Sequence, residues 1–191
     1  MSDDRVVTAN EGSGHLPWVE DAPISAPLRL HSATVPSAWV DYNKHMSESC
    51  YLLAFGDNAD AFFRYVGIDE QYRAEGHSLF TVETHLHHRR EVSEGEPLAM
   101  TLRVLDHDDK RVHVFHEMFL GDSDVLLATA EQMLVHVDTR AGRSAPMPRG
   151  LGKRVEAISR AHAGLTLPEV VGRPMRINHV QGGQHGLRAQ P

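Results

Sequence analysis

The strongest constraint on the fold is a change of hydrophobic period partway along the chain. Residues 47–66 place apolar side chains at steps of three and four, which predicts one long helix that ends near Gly67. After Gly76 the period becomes two and stays so to Asp138, which predicts strands. Four segments carry this alternation: SLFTVETHLHHRREV, PLAMTLRVLDH, RVHVFHEMFL and DVLLATAEQMLVHVD.

Short, turn-rich links join these segments, which favours antiparallel neighbours and predicts a meander. Ahead of the helix, LRLHSATVP alternates and stops at Pro36, as a further strand would, and residues 150–162 predict a short final helix. The apolar helix has to be buried, and twisted antiparallel strands can curve around it. We therefore predict an α+β hotdog fold, with a curved five- to six-stranded antiparallel sheet around one long central helix.

The chain length of 191 residues fits one folded domain. We assign residues 28–162 to that domain, residues 1–27 to a flexible N-terminal arm and residues 163–191 to a C-terminal extension, since both ends lack periodicity. A sheet of this kind leaves an unpaired edge strand, and a second copy is a usual partner for such an edge. A homodimer, or a tetramer built from dimers, is therefore expected.

Charge and cysteine usage exclude several functional classes. A net charge of −7 disfavours nucleic acid as a partner. The longest apolar runs are far shorter than the ~20 residues that a membrane span needs. Cys50 is the single cysteine and no secretory signal pattern precedes the domain, so a cytoplasmic location is expected.

The stretch VDYNKHMSESCYLLAF places Asp41, Asn43 and His45 directly before the predicted helix. The amide groups at a helix N-terminus are unpaired and the helix dipole is positive there, so this end stabilises an oxygen that gains negative charge. A nearby carboxylate can act as a general base or as a nucleophile, while an amide and an imidazole orient water or a carbonyl group. The alternative is structural, because Asp and Asn are also ordinary helix-capping residues.

The motif WVDYNKHMSESCYLLAF resembles the signature of hotdog-fold acyl-CoA thioesterases of the 4-hydroxybenzoyl-CoA type. The resemblance extends over about residues 28–150 and is closest to the betainyl-CoA thioesterases of carnitine breakdown. The segments that carry this closer likeness are SLFTVETHLHHRREVSEGEPL, LDHDDKRVHVFHEM and LLATAEQMLVHVDTRAGRSAPMP.

The resemblance implies that Asp41 is the catalytic carboxylate, with Asn43 and His45 beside it and Tyr51 as the tyrosine of the helix. It also implies that no metal or separate cofactor is used, because coenzyme A is part of the substrate. Three positions depart from the family pattern. Lys44 replaces a usual Gly, Ser47 a usual Asn and His88 an expected aromatic residue.

Further candidates lie on the predicted strands and beside Asp41. Glu83 is a candidate second acid or orienting group, with a salt bridge or a solvent-facing role as the alternative. His85 and His87 share a strand face, which permits a metal site but more often forms a solvated rim. Trp39 and Tyr42 flank Asp41 and are candidates to hold a quaternary ammonium group or to form packing and a pocket wall.

We assign substrate contacts to Trp39, Tyr42, Tyr51, His85 and His88, and coenzyme A phosphates to the basic residues Lys44, Arg89, Lys110 and Arg111. The resulting function is hydrolysis of a small acyl-CoA, with betainyl-CoA as the expected substrate. Two alternatives remain open at this point. One is a thioesterase for medium-chain or aromatic acyl groups on coenzyme A or acyl carrier protein, and the other is a non-catalytic thioester-binding module.

Overall fold

The structure is a computed structural model that describes residues 8–11 and 16–175. Three α-helices are present in these residues, α1 (Glu48–Tyr65), α2 (Glu70–Ala74) and α3 (Arg149–His162), together with a 3-10 helix, Ser37–Trp39. Six strands accompany them: β1 (Ser32–Thr34), β2 (His77–His88), β3 (Pro97–His107), β4 (Arg111–Leu120), β5 (Leu126–Asp138) and β6 (Arg143–Ser144). The predicted long helix and the four long strands are thereby confirmed, while α2 and β6 were not predicted.

The six strands form one antiparallel sheet in the order β1-β3-β4-β5-β2, with β6 beside β5. The prediction of a four-strand meander is wrong, because β2 pairs with β5 and lies at the opposite edge from β1. Residues 89–96 carry the chain from β2 at one edge to β3 near the other. This crossover passes the start of α1, where Met46 N donates a hydrogen bond to Val92 O at 2.8 Å.

Helix α1 packs on one face of the sheet and divides the core into two clusters. Around its first half, Tyr51 and Phe55 pack with Met100, Met118 and other buried residues of the sheet. Around its second half, Phe62 packs with the inner residues of β3, β4 and β5 and with Leu151, Val155 and Ile158 of α3. Burial of these large side chains is the main contribution to stability, at roughly 1.5–3 kcal/mol each.

A polar pair interrupts the apolar contact between α1 and the sheet. Asn58 Nδ2 donates to His116 Nδ1 at 2.9 Å and to Thr101 O at 3.2 Å, and both side chains are fully buried. Burial lowers the pKa of His116 to about 4, because the charged imidazolium is penalised in an apolar interior. The imidazole is therefore neutral in the folded protein at neutral pH.

The N-terminal segment covers the side of α1 that the sheet does not. Thr8 Oγ1 donates to Asp60 Oδ2 at 2.8 Å, and Ala9 N donates to Asp57 Oδ1 at 3.1 Å. Trp18 lies against the ring of Tyr65 with 5.4 Å between the ring centroids. These contacts explain why two acidic residues of α1 are buried. Within the described ranges, no helix is long and apolar enough to cross a membrane.

Candidate active site at the start of helix α1

Three of the four candidate catalytic residues, Asp41, Asn43 and His45, lie in a tight turn between two short backbone bridges. Val40 pairs with Met46 and His45 pairs with Ser93, so the turn is attached both to itself and to the crossover. Asp41 N donates to His45 O at 3.0 Å, and Lys44 N donates to Asp41 O at 3.0 Å. The turn therefore brings Asp41 and His45 together through the backbone.

One oxygen of the Asp41 carboxylate is used by the turn itself. Asn43 N donates to Asp41 Oδ1 at 2.8 Å, an interaction typical of Asx turns. Asp41 Oδ2 has no hydrogen-bond partner among residues 8–11 and 16–175. The carboxylate is thus oriented by one bond and retains a second oxygen for a reacting water or carbonyl carbon.

Lys44 occupies the position at which the turn requires a left-handed backbone. Its φ is +64°, a conformation that costs a side-chain-bearing residue roughly 1–2 kcal/mol relative to the right-handed region. This explains physically why a glycine is usual here in the resembling family. The lysine is tolerated because the hydrogen bonds on both sides of it hold the turn closed.

The N-terminus of α1 has no side-chain cap. Ser47 is the N-cap residue, yet its hydroxyl lies 3.3 Å from Ser49 Oγ and makes no capping bond to the backbone. The backbone carbonyl of Ser47 accepts a hydrogen bond from Cys50 N at 2.9 Å, but its side chain satisfies none of the first amide groups of the helix. Together with the helix dipole they provide the site with partial positive charge.

The crossover adds a carboxylate that the sequence did not single out. Glu91 Oε2 lies 3.3 Å from His45 Nδ1, and the backbone of Val92 holds Met46 one residue further along. His45 is therefore fixed from the turn side by its carbonyl oxygen and from the crossover side by its ring. A carboxylate in contact with an imidazole nitrogen fixes the orientation of the ring.

A cavity of about 250 Å³ lies next to this turn. Tyr51 is buried at its wall and its hydroxyl donates to Arg90 O at 3.2 Å. His88 contacts the Tyr51 ring edge-on, with centroids 4.9 Å apart. The residues that line the cavity are Met46, Glu48, Tyr51, His88, Arg89, Arg90 and Glu91.

Burial is the main cause that raises the pKa of the Tyr51 phenol, and the negative charge of Glu91 raises it further. Tyr51 is consequently a neutral hydrogen-bond donor and an aromatic wall, and it is not a base. The structure thus brings Tyr51, His88 and Arg89 to the cavity beside the turn that holds Asp41, Asn43 and His45. Lys44 belongs to the same turn.

The two aromatic residues that flank Asp41 in sequence do not form a common wall. Trp39 packs against the core cluster around the first half of α1, whereas the side chain of Tyr42 is 93% exposed. Trp39 ends the short 3-10 helix Ser37–Trp39 that precedes the turn, whereas Tyr42 lies within the turn. The expected pair around a quaternary ammonium group is therefore not formed within one chain.

Glu83 and His85 lie elsewhere, at the open edge of the sheet. Their side chains contact each other at 3.1 Å, and they border a separate cavity that His113, Glu131 and Gly172 also line. In that cavity His113 Nε2 lies 2.8 Å from Glu131 Oε1, on the sheet face away from α1. The sequence expectation placed Glu83 and His85 near Asp41, but this chain separates them. No cluster in the described residues has the geometry of a metal site.

Lys110 and Arg111 lie at the turn between β3 and β4, opposite the end of the sheet where Arg89 lies. Strand β4 has 10 residues, which separates its ends by roughly 30 Å at about 3.3 Å per residue. Arg111 also contacts Asp108 Oδ2 through both Nε and Nη2, and this pair together with backbone hydrogen bonds lowers the pKa of Asp108 to about 2. One chain therefore does not gather the four predicted phosphate-binding residues into one site.

Sequence reasoning missed Glu48, Met46 and Glu91 at the cavity. Glu48 was readable as an acidic residue in the first turn of a helix, which favours that position electrostatically. No local pattern identifies Glu91, because its contact with His45 depends on the path of the crossover. An apolar Val92 among charged residues was the available sign in the sequence, and the structure shows that Val92 is buried.

The chain is similar to known thioesterases in sequence and in structure. A model of the thioesterase-like superfamily matches residues 35–155. A Pseudomonas aeruginosa protein named betainyl-CoA thioesterase is 44% identical over 159 residues, which cover 83% of this chain and 100% of that protein. A Rhizobium meliloti protein named L-carnitine dehydrogenase/betainyl-CoA thioesterase is 45% identical over 149 residues.

The Rhizobium meliloti match covers 78% of this chain but 30% of that protein, so this chain spans less than a third of that relative's length. Among solved structures, a Staphylococcus aureus protein in complex with CoA has a TM-score of 0.75 and 27% identity. That match covers 83% of this chain and 99% of the other chain.

Proposed function

We propose, from the premise that the chain belongs to the thioesterase-like superfamily, that it hydrolyses an acyl-CoA thioester and that betainyl-CoA is its substrate. The observation that carries this proposal is the position of Asp41, whose carboxylate precedes the uncapped N-terminus of α1 with one oxygen unpartnered in the described structure. The substrate assignment rests on the names of the relatives that are 44% and 45% identical.

The chemistry follows from charge development at the thioester. When an oxygen nucleophile attacks the carbonyl carbon, the carbonyl oxygen becomes negative, and the amide groups and dipole at the start of α1 stabilise it. Collapse of this intermediate breaks the carbon–sulfur bond and releases the coenzyme A thiolate, which takes up a proton. The route needs water and side chains only, with coenzyme A as part of the substrate.

Asp41 supports two routes to the same products. As a general base it takes a proton from water, and the resulting hydroxide attacks the carbonyl carbon. As a nucleophile it forms an anhydride with the acyl group and releases coenzyme A, after which water cleaves the anhydride. A single turnover in oxygen-labelled water separates the routes, since attack of the labelled water on the aspartyl carbonyl would leave label in Asp41.

The test of the function is a free-thiol assay with betainyl-CoA and a panel of medium-chain and aromatic acyl-CoA esters. Asp41→Asn should lower kcat/KM by 10²-fold or more, because it removes the base or nucleophile and changes little in shape. The matched control is Asp109→Asn, which neutralises an exposed carboxylate at the opposite end of the sheet. Equal hydrolysis by wild type and Asp41→Asn would overturn the assignment of Asp41, and a flat panel would overturn the choice of substrate.

We also propose that the protein is a homodimer that pairs through β2. This strand bonds to β5 on one side, and no other strand of the described chain pairs with it. Phe80 and Val82 on β2 are 51% and 61% exposed, and Leu52 and Leu53 of α1 are exposed as well. Sedimentation of wild type and Val82→Lys tests this, with a dimer and a shift toward monomer as the expected results. A cytoplasmic location stays a prediction.

A further inference from the structure

The cavity at the start of α1 combines an aromatic wall with carboxylates from two different elements. Glu48 belongs to the first turn of α1, and Glu91 belongs to the crossover between β2 and β3. At about 250 Å³ the cavity is smaller than the roughly 300–1,000 Å³ typical of drug-sized ligands. Its size suits a compact acyl head group better than a long chain.

One contact and one electrostatic effect locate the Glu91 carboxylate. Its Oε2 lies 3.3 Å from His45 Nδ1, which ties it to the turn that holds Asp41. Its charge also helps to raise the pKa of the Tyr51 phenol, which places the carboxylate within electrostatic reach of that ring. The Tyr51 ring itself is fixed, since it is buried and its hydroxyl donates to Arg90 O.

An aromatic face next to a carboxylate is the chemistry that binds a quaternary ammonium group. Such a group has no N–H to donate, so recognition depends on charge and on contact with its methyl groups. Met46 and Tyr51 offer apolar and aromatic contact, while Glu91 offers the opposite charge. The trimethylammonium end of a betainyl group carries a permanent positive charge and matches this set.

We propose that Glu91 determines the preference of the site for a cationic acyl group over a neutral group of the same shape. This inference rests on the proposed thioesterase function and adds a residue-level cause for its substrate choice. Glu91 acts on selectivity through its charge, and its contact with His45 keeps that charge beside the turn that holds Asp41.

Two positively charged residues at the cavity would oppose the attraction between Glu91 and a cationic acyl group. Arg89 and Arg90 also line the cavity, and both are exposed. Arg90 contacts Tyr51 through its backbone carbonyl. If the two guanidinium groups governed the acyl end, the site would prefer a neutral acyl group.

The experiment compares betainyl-CoA with 3,3-dimethylbutanoyl-CoA, in which a carbon atom replaces the charged nitrogen and the shape is retained. The wild-type protein should favour betainyl-CoA in kcat/KM. Glu91→Gln should lower that preference about 2- to 5-fold, because the Glu91 side chain is 76% exposed and water screens its attraction for the cation. Glu94→Gln is the matched control, since it removes the same charge from the same crossover outside the cavity.

The ratio of the two substrates separates selectivity from general damage. Equal losses for both substrates in Glu91→Gln would mean that Glu91 only supports His45, which overturns the proposal. Glu91→Asp should restore part of the preference, since it returns the charge. If wild type cleaves neither substrate, the proposed function fails; if wild type favours betainyl-CoA and Glu91→Gln keeps the ratio, this inference alone fails.

Discussion

Charged side chains are fully paired at the C-terminal end of α1 and only partly paired beside its N-terminal end. At the C-terminal end Arg64 is 3% exposed, with Nε bonded to Asp60 at 2.9 Å and Nη1 bonded to Glu70 at 2.6 Å. At the N-terminal end Asp41 retains an oxygen with no partner in the described chain, and Ser47 leaves the helix uncapped. The comparison teaches that the charges of one end stabilise the fold and those of the other end remain available for chemistry.

The chain closes the C-terminal end with several further bonds. Arg154 Nη1 donates to Val66 O at 2.9 Å, and Gly67 turns the chain with a φ of +96°. Asp69 then caps α2 by accepting a hydrogen bond from Tyr72 N at 2.9 Å. Helix α1 has 18 residues and is about 27 Å long at 1.5 Å per residue, so changes at one end leave the other in place.

The largest expected effect comes from breaking the paired end. Arg64→Met should lower the free energy of unfolding by about 3–5 kcal/mol, because it leaves the largely buried Asp60 carboxylate without its main partner. Thermal or urea unfolding measures this loss. Glu70→Gln is the control and should cost under about 1 kcal/mol, since Glu70 is mostly exposed.

The activity of Arg64→Met tests whether the two ends of α1 are independent. Arg64→Met should retain wild-type kcat/KM at temperatures below its unfolding transition, because Asp41 lies at the far end of α1. A large loss of kcat/KM in the fully folded variant would contradict the separation of the two ends.

A second expected effect concerns pH and the middle of α1. The His116 imidazole has a pKa of about 4 when folded against 6.5 for the ordinary group, so the unfolded chain binds more protons between these values. The contribution of His116 to the free energy of unfolding is therefore fully present above pH 6.5. It falls by about 3 kcal/mol as the pH drops toward 4. Burial lowers the pKa of His31, His136 and His162 as well, which acts in the same direction.

Urea unfolding at a series of pH values measures this slope. His116→Gln keeps a polar partner for Asn58 and should flatten the slope between pH 6.5 and 4. An unchanged slope in that variant would assign the acid sensitivity to the other three histidines.

A third prediction tests the strained turn at the open end. Lys44→Gly should raise the free energy of unfolding by about 0.5–1 kcal/mol, because relief of the left-handed strain exceeds the entropy that glycine adds to the unfolded chain. Asn43→Gly is the matched control one residue earlier. It should lower stability by about 0.5–1 kcal/mol, since Asn43 has no positive φ to relieve. If both variants changed the free energy of unfolding in the same direction, backbone strain at Lys44 would be refuted.

The smallest expected effect concerns the first turn of α1. Glu48→Gln should lower stability by about 0.5 kcal/mol at low salt, because Glu48 offsets the positive end of the helix dipole. The difference should shrink in 1 M salt, which screens exposed charges. Paired thermal scans of both proteins at low and high salt check this, and a salt-independent difference would point to packing.

Much of the fold was predictable because periodicity reports burial. The bounds of β3 and β4 agree with the predicted segments, and α1 begins and ends within a residue of its prediction. The place of β2 was not predictable, since pairing is decided by a crossover that carries no periodic signal. Helix α2 was not predicted because it has 5 residues, too few to show a helical pattern.

In the candidate site, too, local contacts were predictable and contacts between distant segments were not. Asp41, Asn43 and His45 are close in sequence, so their proximity could be predicted from spacing and resemblance. Glu91 meets His45 only through the crossover, and the burial of Asp57 depends on the N-terminal segment that covers it. Contacts made by distant segments lie outside what local sequence patterns can predict.

The crossover of residues 89–96 joins topology and substrate choice in one stretch of chain. A connection of this kind must be long enough to pass the start of α1, but insertions beyond that length add little free energy to loop closure. Lengthening it would reshape the acyl cavity and would also loosen the turn around Asp41, because Glu91, Val92 and Ser93 of this link contact His45 and Met46. The connection that sets the strand order therefore also sets the distance between the acyl cavity and the catalytic turn.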